Sequence, residues 1–186
     1  MSTQTQDPKL LIIGCKKIGR LIARTASTLG WQVTVMDRDV PQYPWPPNVE
    51  PIAHNFLKTE LGIPPYTHAI VNRGHKKDPE VIYALLERGV EHIYLIASAK
   101  RGQSIIDELS NKADDNIQKK LHKRLSAPAG LDLGGENTPS IVLSILSEIQ
   151  MRHYQGSAER LNDLRPQKLA NDQPDRAQKT CPGKEK

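Results

Sequence analysis

The stretch from residue 9 to residue 37 constrains the fold more than any other part of the chain. Lys9-Leu10-Leu11-Ile12-Ile13 is a short apolar run that stops at Gly14. A run apolar at every position, not at alternate ones, reads as a strand covered on both faces. Apolar residues then recur at Ile18, Leu21, Ile22, Ala26 and Leu29, which is helical spacing. Gly30 stops that helix. Trp31-Gln32-Val33-Thr34-Val35-Met36 forms a second strand that ends at Asp37. A strand, a helix and a second strand within so few residues form a parallel β-α-β unit. That unit requires helices on both faces of its sheet.

The rest of the chain continues the alternation. Residues 41–51 hold Pro41, Pro44, Pro46, Pro47 and Pro51, so this segment is expected as a semi-rigid extended crossover, with a short edge strand at 51–54. Strands are expected at 68–72 and 91–97. A helix is expected at 78–88, capped by Asp78, opened by Pro79 and stopped by Gly89. Residues 104–125 read as helical with a break near 111–116. Thr138-Pro139 opens a last helix that runs to about Tyr154. The expected fold is doubly wound α/β, a mostly parallel sheet with helices on both faces, Rossmann-like, over residues 9–154. After Tyr154 the chain has no Ile, Val, Phe, Tyr or Trp. Residues 155–186 are therefore expected as a disordered basic tail and residues 1–8 as a disordered N-terminus.

Composition excludes several classes of function. The formal charge of +5 is spread over single and paired basic residues, and aromatics make up 4% of the chain. A nucleic-acid groove needs clustered cations interleaved with stacking rings, so nucleic acid is not expected. No stretch approaches the length of a membrane span, and the polar start MSTQTQDP lacks a signal-peptide core. Cys15 and Cys181 are too distant to form a disulfide framework or a metal-ligand pattern, which fits a reducing cytoplasm.

The candidate chemistry begins at Gly14-Cys15-Lys16-Lys17-Ile18-Gly19, which lies between a strand and a helix where the dinucleotide fingerprint G-x-G-x-x-G would lie. Gly14 suits the tight turn and Gly19 suits close helix–strand packing. The helix N-terminus offers N–H groups to an anion. Lys16 replaces the middle glycine, which crowds a pyrophosphate path while adding a cation. The two lysines either hold a phosphate or are solvated on a bare turn. Asp37 ends the second strand, where an acid accepts a ribose 2′-OH or caps a turn, and Arg38 beside it is placed to stack on adenine or meet a 2′-phosphate. Cys15 is either an activated thiol at a helix N-terminus or a packed small residue.

Three further segments occur in order. They are Asn72-Arg73-Gly74-His75-Lys76-Lys77-Asp78, then Ile96-Ala97-Ser98, then Ala127-Pro128-Ala129-Gly130-Leu131-Asp132-Leu133-Gly134-Gly135. The last leads to Thr138-Pro139 and Ser144-Ile145-Leu146-Ser147-Glu148-Ile149. Together they resemble the Rossmann domain of the XdhC/CoxI family, the xanthine dehydrogenase accessory proteins, from about residue 9 to 150. That family carries a T-R-G-H-x-x-D segment, a strand-end G-S, and a P-x-G-L-D-x-G segment leading to T-P and S-I-x-x-E-I. The departures are Lys16 and Lys17 in a first loop that usually reads G-x-G-H-V-G, Ala97 for the strand-end glycine, and a Thr-Pro pair one residue later. Full-length members also carry an N-terminal cysteine segment. This sequence starts at the Rossmann strand, so that contribution is expected to be absent or supplied by another protein.

The resemblance implies an accessory protein, not a catalyst. It would bind molybdenum cofactor, protect it, and assist its sulfuration and insertion into a molybdenum hydroxylase of the xanthine dehydrogenase kind, with a sulfur donor protein as second partner. A homodimer stays open. The expected ligand set is Gly14, Cys15, Lys16, Lys17, Gly19, Asp37, Arg38, Arg73, His75, Ser98 and Asp132. Arg73 suits bidentate pairing with phosphate, and His75 suits an oxyanion or proton shuttle, or a surface hydrogen bond. Asp132 is a ligand contact or a turn cap. The alternatives are an NAD(P)-dependent oxidoreductase and a nucleotide-sensing regulatory module.

Overall fold

The computed structural model describes residues 7–40, 44–58, 60, 62–64, 67–74 and 76–164. Six strands lie in chain order: β1 (Lys9–Ile13), β2 (Gln32–Asp37), β3 (Val49–Ala53), β4 (Thr67–Val71), β5 (His92–Leu95) and β6 (Leu125–Ser126). They form one sheet in the order β3-β2-β1-β4-β5-β6 with every neighbouring pair parallel. Among the described residues α1 (Lys17–Thr28), α2 (Asp78–Glu87), α3 (Ala99–Lys112) and α4 (Asp115–Arg124) lie between strands, and α5 (Thr138–Tyr154) follows β6. The strand order reverses between β1 and β4, and this crevice is where folds of this kind bind ligands.

The pleat of β1 explains the two-sided core. Leu11 and Ile13 pack with α2, α3 and α4 residues such as Leu85, Ile105 and Leu121. Leu10 and Ile12 point to the other face, among Ile22 and Ala26 of α1 and Ile145 and Ile149 of α5. All four are at most 3% exposed, and each buried aliphatic contributes roughly 1.5–3 kcal/mol. Gly30 and Gly89 end their helices at φ of 84° and 82°, where a Cβ would be strained.

Three expectations change. The helix after β5 begins at Ala99, five residues before the expected start, and divides at Ala113 into α3 and α4. Its opening turn lacks an apolar stripe because Gly102, not a large side chain, faces the chain there: a Cβ on it would stand 3.0 Å from the Ala127 backbone. Strand β6 has no counterpart among the expected strands and begins on Leu125, the last residue of that expected helix, since two residues carry no periodicity. Asp78 does not cap α2. Lys77 holds the cap position and makes no side-chain capping bond, and Asp78 is the buried first residue of the helix.

The expected N-terminal boundary also shifts. Pro8 is buried, and the Asp7 carboxylate accepts a bond from the Tyr154 hydroxyl at 3.2 Å, while residues 1–6 lie outside the described residues. Residues 156–186 separate from the domain as a second unit. Within it residues 161–164 make one helical turn, and the tail expectation for 165–186 falls outside the described residues.

Candidate cofactor site at the carboxyl edge of the sheet

The loops leaving β1, β2, β4, β5 and β6 all emerge at one edge. The first is drawn tight: the Gly14 N–H donates to the Met36 carbonyl at 2.9 Å, and the Asn72 N–H to Ile13 at 2.9 Å. Gly14 has φ of 109°, and a Cβ there would meet the Asn72 carbonyl oxygen at 2.5 Å. A Cβ on Gly19 would stand 2.6 Å from the Gly14 oxygen. Both glycines are therefore needed for the loop to turn between two backbones, as their spacing predicts. Lys16 is the N-cap of α1, with no side-chain capping bond and no acid in the first turn. Lys16 thus gives the first N–H groups of α1 no side-chain cap, and the Asp37 carboxylate is held on the preceding Cys15 N–H; an uncapped helix start is an arrangement an anion uses. Lys17 is the first helical residue and is exposed.

Asp37 is committed to main chain on both oxygens. Oδ2 accepts from the Cys15 N–H at 2.6 Å and Oδ1 from the Arg38 N–H at 2.7 Å. It braces the first loop against the end of β2 and leaves its remaining lone pairs for anything further. Arg38 is exposed beside it. The Cys15 thiol packs with Leu10, Ile12 and Ile22 and is 8% exposed. Burial pushes the thiol above its ordinary range; Arg20 opposes the shift and the Asp37 charge adds to it. This geometry is that of a packed residue and not of an activated nucleophile.

The loop after β4 brings further cations to the same edge. The Arg73 stem leans on Gly14, its Cγ 3.0 Å from where a Cβ would be. Gly74 sits at φ of 60°. Next to it, Asp78 is fully buried and pairs with Arg101 at 2.5 Å. Ser98 serves as the N-cap of α3, accepting from the Arg101 N–H at 3.4 Å. His75 lies outside the described residues. Asn72 is 6% exposed, and its Nδ2 has no hydrogen-bond partner among the described residues.

The loop after β6 is anchored from below. Glu148 on α5 accepts from the Gly130 N–H at 2.7 Å and from the Ser126 hydroxyl at 2.5 Å, and it pairs with Arg152 at 3.0 Å. Ser144 donates its hydroxyl to the Leu131 carbonyl. Gly130 has φ of 114° and presses against Ser144, so no side chain fits there. Residues 132–137 are exposed or half-exposed. The Asp132 carboxylate accepts the Gly134 N–H at 3.4 Å, closing a local turn.

The structure therefore gathers Gly14, Lys16, Lys17, Gly19 and Arg73 at the β1/β4 crevice and hangs Asp132 on the adjoining loop. Asp37 and Cys15 shape the first loop from within, and the exposed Ser98 caps α3. Asn72, Asp78, Arg101 and Glu148 escaped sequence reasoning as site residues. Asp78 and Glu148 stood inside the family-like segments, but the pairing of Asp78 with a residue 23 positions away depends on topology. A cavity of about 90 Å³ lined by Lys9, Gln32, Thr34 and Thr67 opens toward the amino ends of the strands, away from these groups.

Order, parallel sheet and glycine turn define a Rossmann-type domain. More specifically, the chain belongs to the XdhC Rossmann domain family, whose model matches residues 10–149. It is 28% identical over 159 residues to the uncharacterized protein YqeB of Escherichia coli (strain K12), covering 80% of this chain and 28% of YqeB. Its fold is similar to the crystal structure of a xanthine dehydrogenase from Bacillus halodurans, with a TM-score of 0.64 and 22% identity over 82% of this chain and 44% of that one. The chain thus spans under a third of YqeB and under half of the solved structure.

Proposed function

We propose that this chain is an accessory protein for a molybdenum hydroxylase of the xanthine dehydrogenase kind, and that it holds molybdenum cofactor by its phosphate at the β1/β4 crevice. The observation that carries the reading is the uncapped N-terminus of α1 with Lys16 at its cap, in a chain of the XdhC family. Cations and N–H donors suit a phosphate group. When bound, the cofactor supplies molybdenum redox chemistry, which belongs to the client enzyme. Lys16, Lys17 and Arg73 hold the charge. The loop carrying Asp132, fixed by Glu148 at the same sheet edge, would supply a further contact to the cofactor. His75 completes the set. Binding and protection, not turnover, are the tasks of this chain, in the cytoplasm and alongside a sulfur donor protein.

The NAD(P) reading draws on Asp37 at the end of β2. Lys16 opposes it, because a side chain there crowds the pyrophosphate path. Identification by mass spectrometry of the ligand retained through purification separates the two. Recovery of molybdopterin species supports the accessory reading, and recovery of NAD(P) alone removes it.

A further inference from the structure

We infer that His68, His92 and His153 form a proton-operated latch that fastens the last turn of α5 to the amino edge of the sheet and releases that turn in mild acid. The latch lies at the opposite end of the strands from the cofactor crevice and does not rest on the cofactor reading. Strand register builds it. Leu10, His68 and His92 are in register across β1, β4 and β5, so both imidazoles rise from the face of the sheet that α5 covers. Helix α5 ends over this row. The His68 ring stacks on His92 with centroids 5.0 Å apart and tilts against His153 at 5.3 Å. Tyr154, the next residue, reaches the Asp7 carboxylate, so the same turn also holds the segment that leads into β1.

Proton counting gives the latch its sign. His68 Nε2 and His153 Nδ1 lie 3.1 Å apart, a gap that holds one proton. His68 Nδ1 lies 3.0 Å from the Tyr94 hydroxyl, which has no other hydrogen-bond partner among the described residues. One neutral assignment satisfies every group: Tyr94 donates to His68 Nδ1, and the His68 Nε2–H donates to His153 Nδ1. His92 Nδ1 is buried without a partner among the described residues, so that ring carries its proton on Nε2. A further proton fits none of these places. On His153 Nδ1 it puts a second N–H into the gap. Moving the His68 proton to Nδ1 clears the gap but costs the buried Tyr94 hydroxyl its acceptor. On His92 Nδ1 it meets no acceptor. Charge acts in the same direction. Arg152 of α5 and Arg124 of α4 add positive potential, Glu91 beside His92 opposes it, and Glu148 is engaged by Arg152 and Ser126. β1 brings the apolar Leu10 to this row. Burial above all holds His68 and His92 below the usual histidine range. The last turn yields first, because Glu148, one turn earlier, stays bonded to Gly130 and Ser126.

The test is hydrogen exchange of the full chain between pH 7.5 and 5, read by mass spectrometry on peptides covering residues 149–155 and corrected for the intrinsic effect of pH. Protection of this turn is expected to fall about tenfold per pH unit below about pH 6.5, the proportion set by one proton taken up on opening. Peptides from β1 and β4 are expected to stay protected over the same range. His153→Gln keeps a carbonyl to accept the His68 N–H and cannot charge. It is expected to cut the acceleration to less than about threefold over that range. His92→Gln, at a half-buried position, is the second variant and is expected to lessen it. His122→Gln, exposed on α4, is the control and should change nothing. Side-chain nitrogen spectra of the folded chain at pH 7.5 should show His68 and His92 as neutral Nε2–H tautomers. Exchange of this turn that does not depend on pH overturns the latch, as does an equally steep dependence in both His153→Gln and His92→Gln. Loss of protection throughout the domain at the same pH also overturns it, since opening is then global. An imidazolium signal from His68 while the turn is still protected contradicts the proton count.

Discussion

The carboxylate of Glu148 accepts the main-chain N–H of Gly130 at 2.7 Å and so ties helix α5 to the loop that carries Asp132. Glu148 also engages Ser126 and Arg152, and its side chain is 7% exposed. Glu148→Ala leaves a half-buried guanidinium, a hydroxyl and an N–H without this acceptor. The expected loss is about 2–4 kcal/mol of stability, with Glu148→Gln intermediate. Urea unfolding measures the loss, and limited proteolysis should cut the native variant within residues 131–137 first. Wild-type stability in Glu148→Ala would show that the carboxylate does not anchor the loop.

A cluster at the opposite edge predicts the acid response. His68 is 1% exposed; one ring nitrogen lies 3.0 Å from the Tyr94 hydroxyl, the other 3.1 Å from His153, and its ring stacks on His92 at 5.0 Å. Burial above all, then His92, His153 and Arg152, lowers its pKa to about 3. His92 is also lowered, by burial and then by Arg152. The unfolded chain therefore binds protons on these histidines before the folded one does. Stability is full above about pH 6.5 and falls as pH drops from there toward 3, by up to about 1.4 kcal/mol per pH unit from His68, with His92 adding in the same direction. Urea midpoints between pH 7 and 4 should show this slope, and His68→Gln should flatten it. An unchanged slope in His68→Gln would remove His68 from the acid response.

Cys15 should be inert. In a Cys181→Ser background, iodoacetamide is expected to alkylate the native protein at pH 7.5 at least about tenfold more slowly than the urea-unfolded chain, because the thiol is buried and its pKa raised. Equal rates would make Cys15 accessible and reactive.

Much of the fold was legible because strong periodicity survives tertiary packing. The run at 9–13 read as a strand covered on both faces and that at 31–36 as a second strand, and Gly14, Gly30 and Gly89 marked real turns. The opening of α3 was hidden because Ala99-Lys100-Arg101-Gly102 shows a helix surface and a close backbone contact, with no apolar stripe. The site was legible in part. Loop residues such as Lys16 and Arg73 follow strand ends and can be placed by counting. The Asp78–Arg101 pair cannot, since it exists only because the β4 and β5 loops are neighbours in a parallel sheet. At Cys15 the sequence left an activated thiol and a packed small residue open, and burial selects the packed one.

Lys16 separates the two ligand readings. Lys16→Gly restores the glycine that a pyrophosphate needs against the backbone. If the lysine is a phosphate ligand, the same change weakens molybdenum cofactor binding about ten- to a hundredfold and leaves NADH affinity low. Fluorescence titration with NADH and cofactor-binding assays on the same preparation check both. A Lys16→Gly chain that gains NADH affinity and keeps full cofactor binding would favour the dinucleotide reading.

The most direct test of the central claim is equilibrium binding of isolated molybdenum cofactor, under anaerobic conditions, to the full chain. The account predicts saturable binding at one site per chain, and loss of that binding when Lys16→Ala and Arg73→Ala are combined. No measurable binding, or binding unchanged in the double variant, would contradict it.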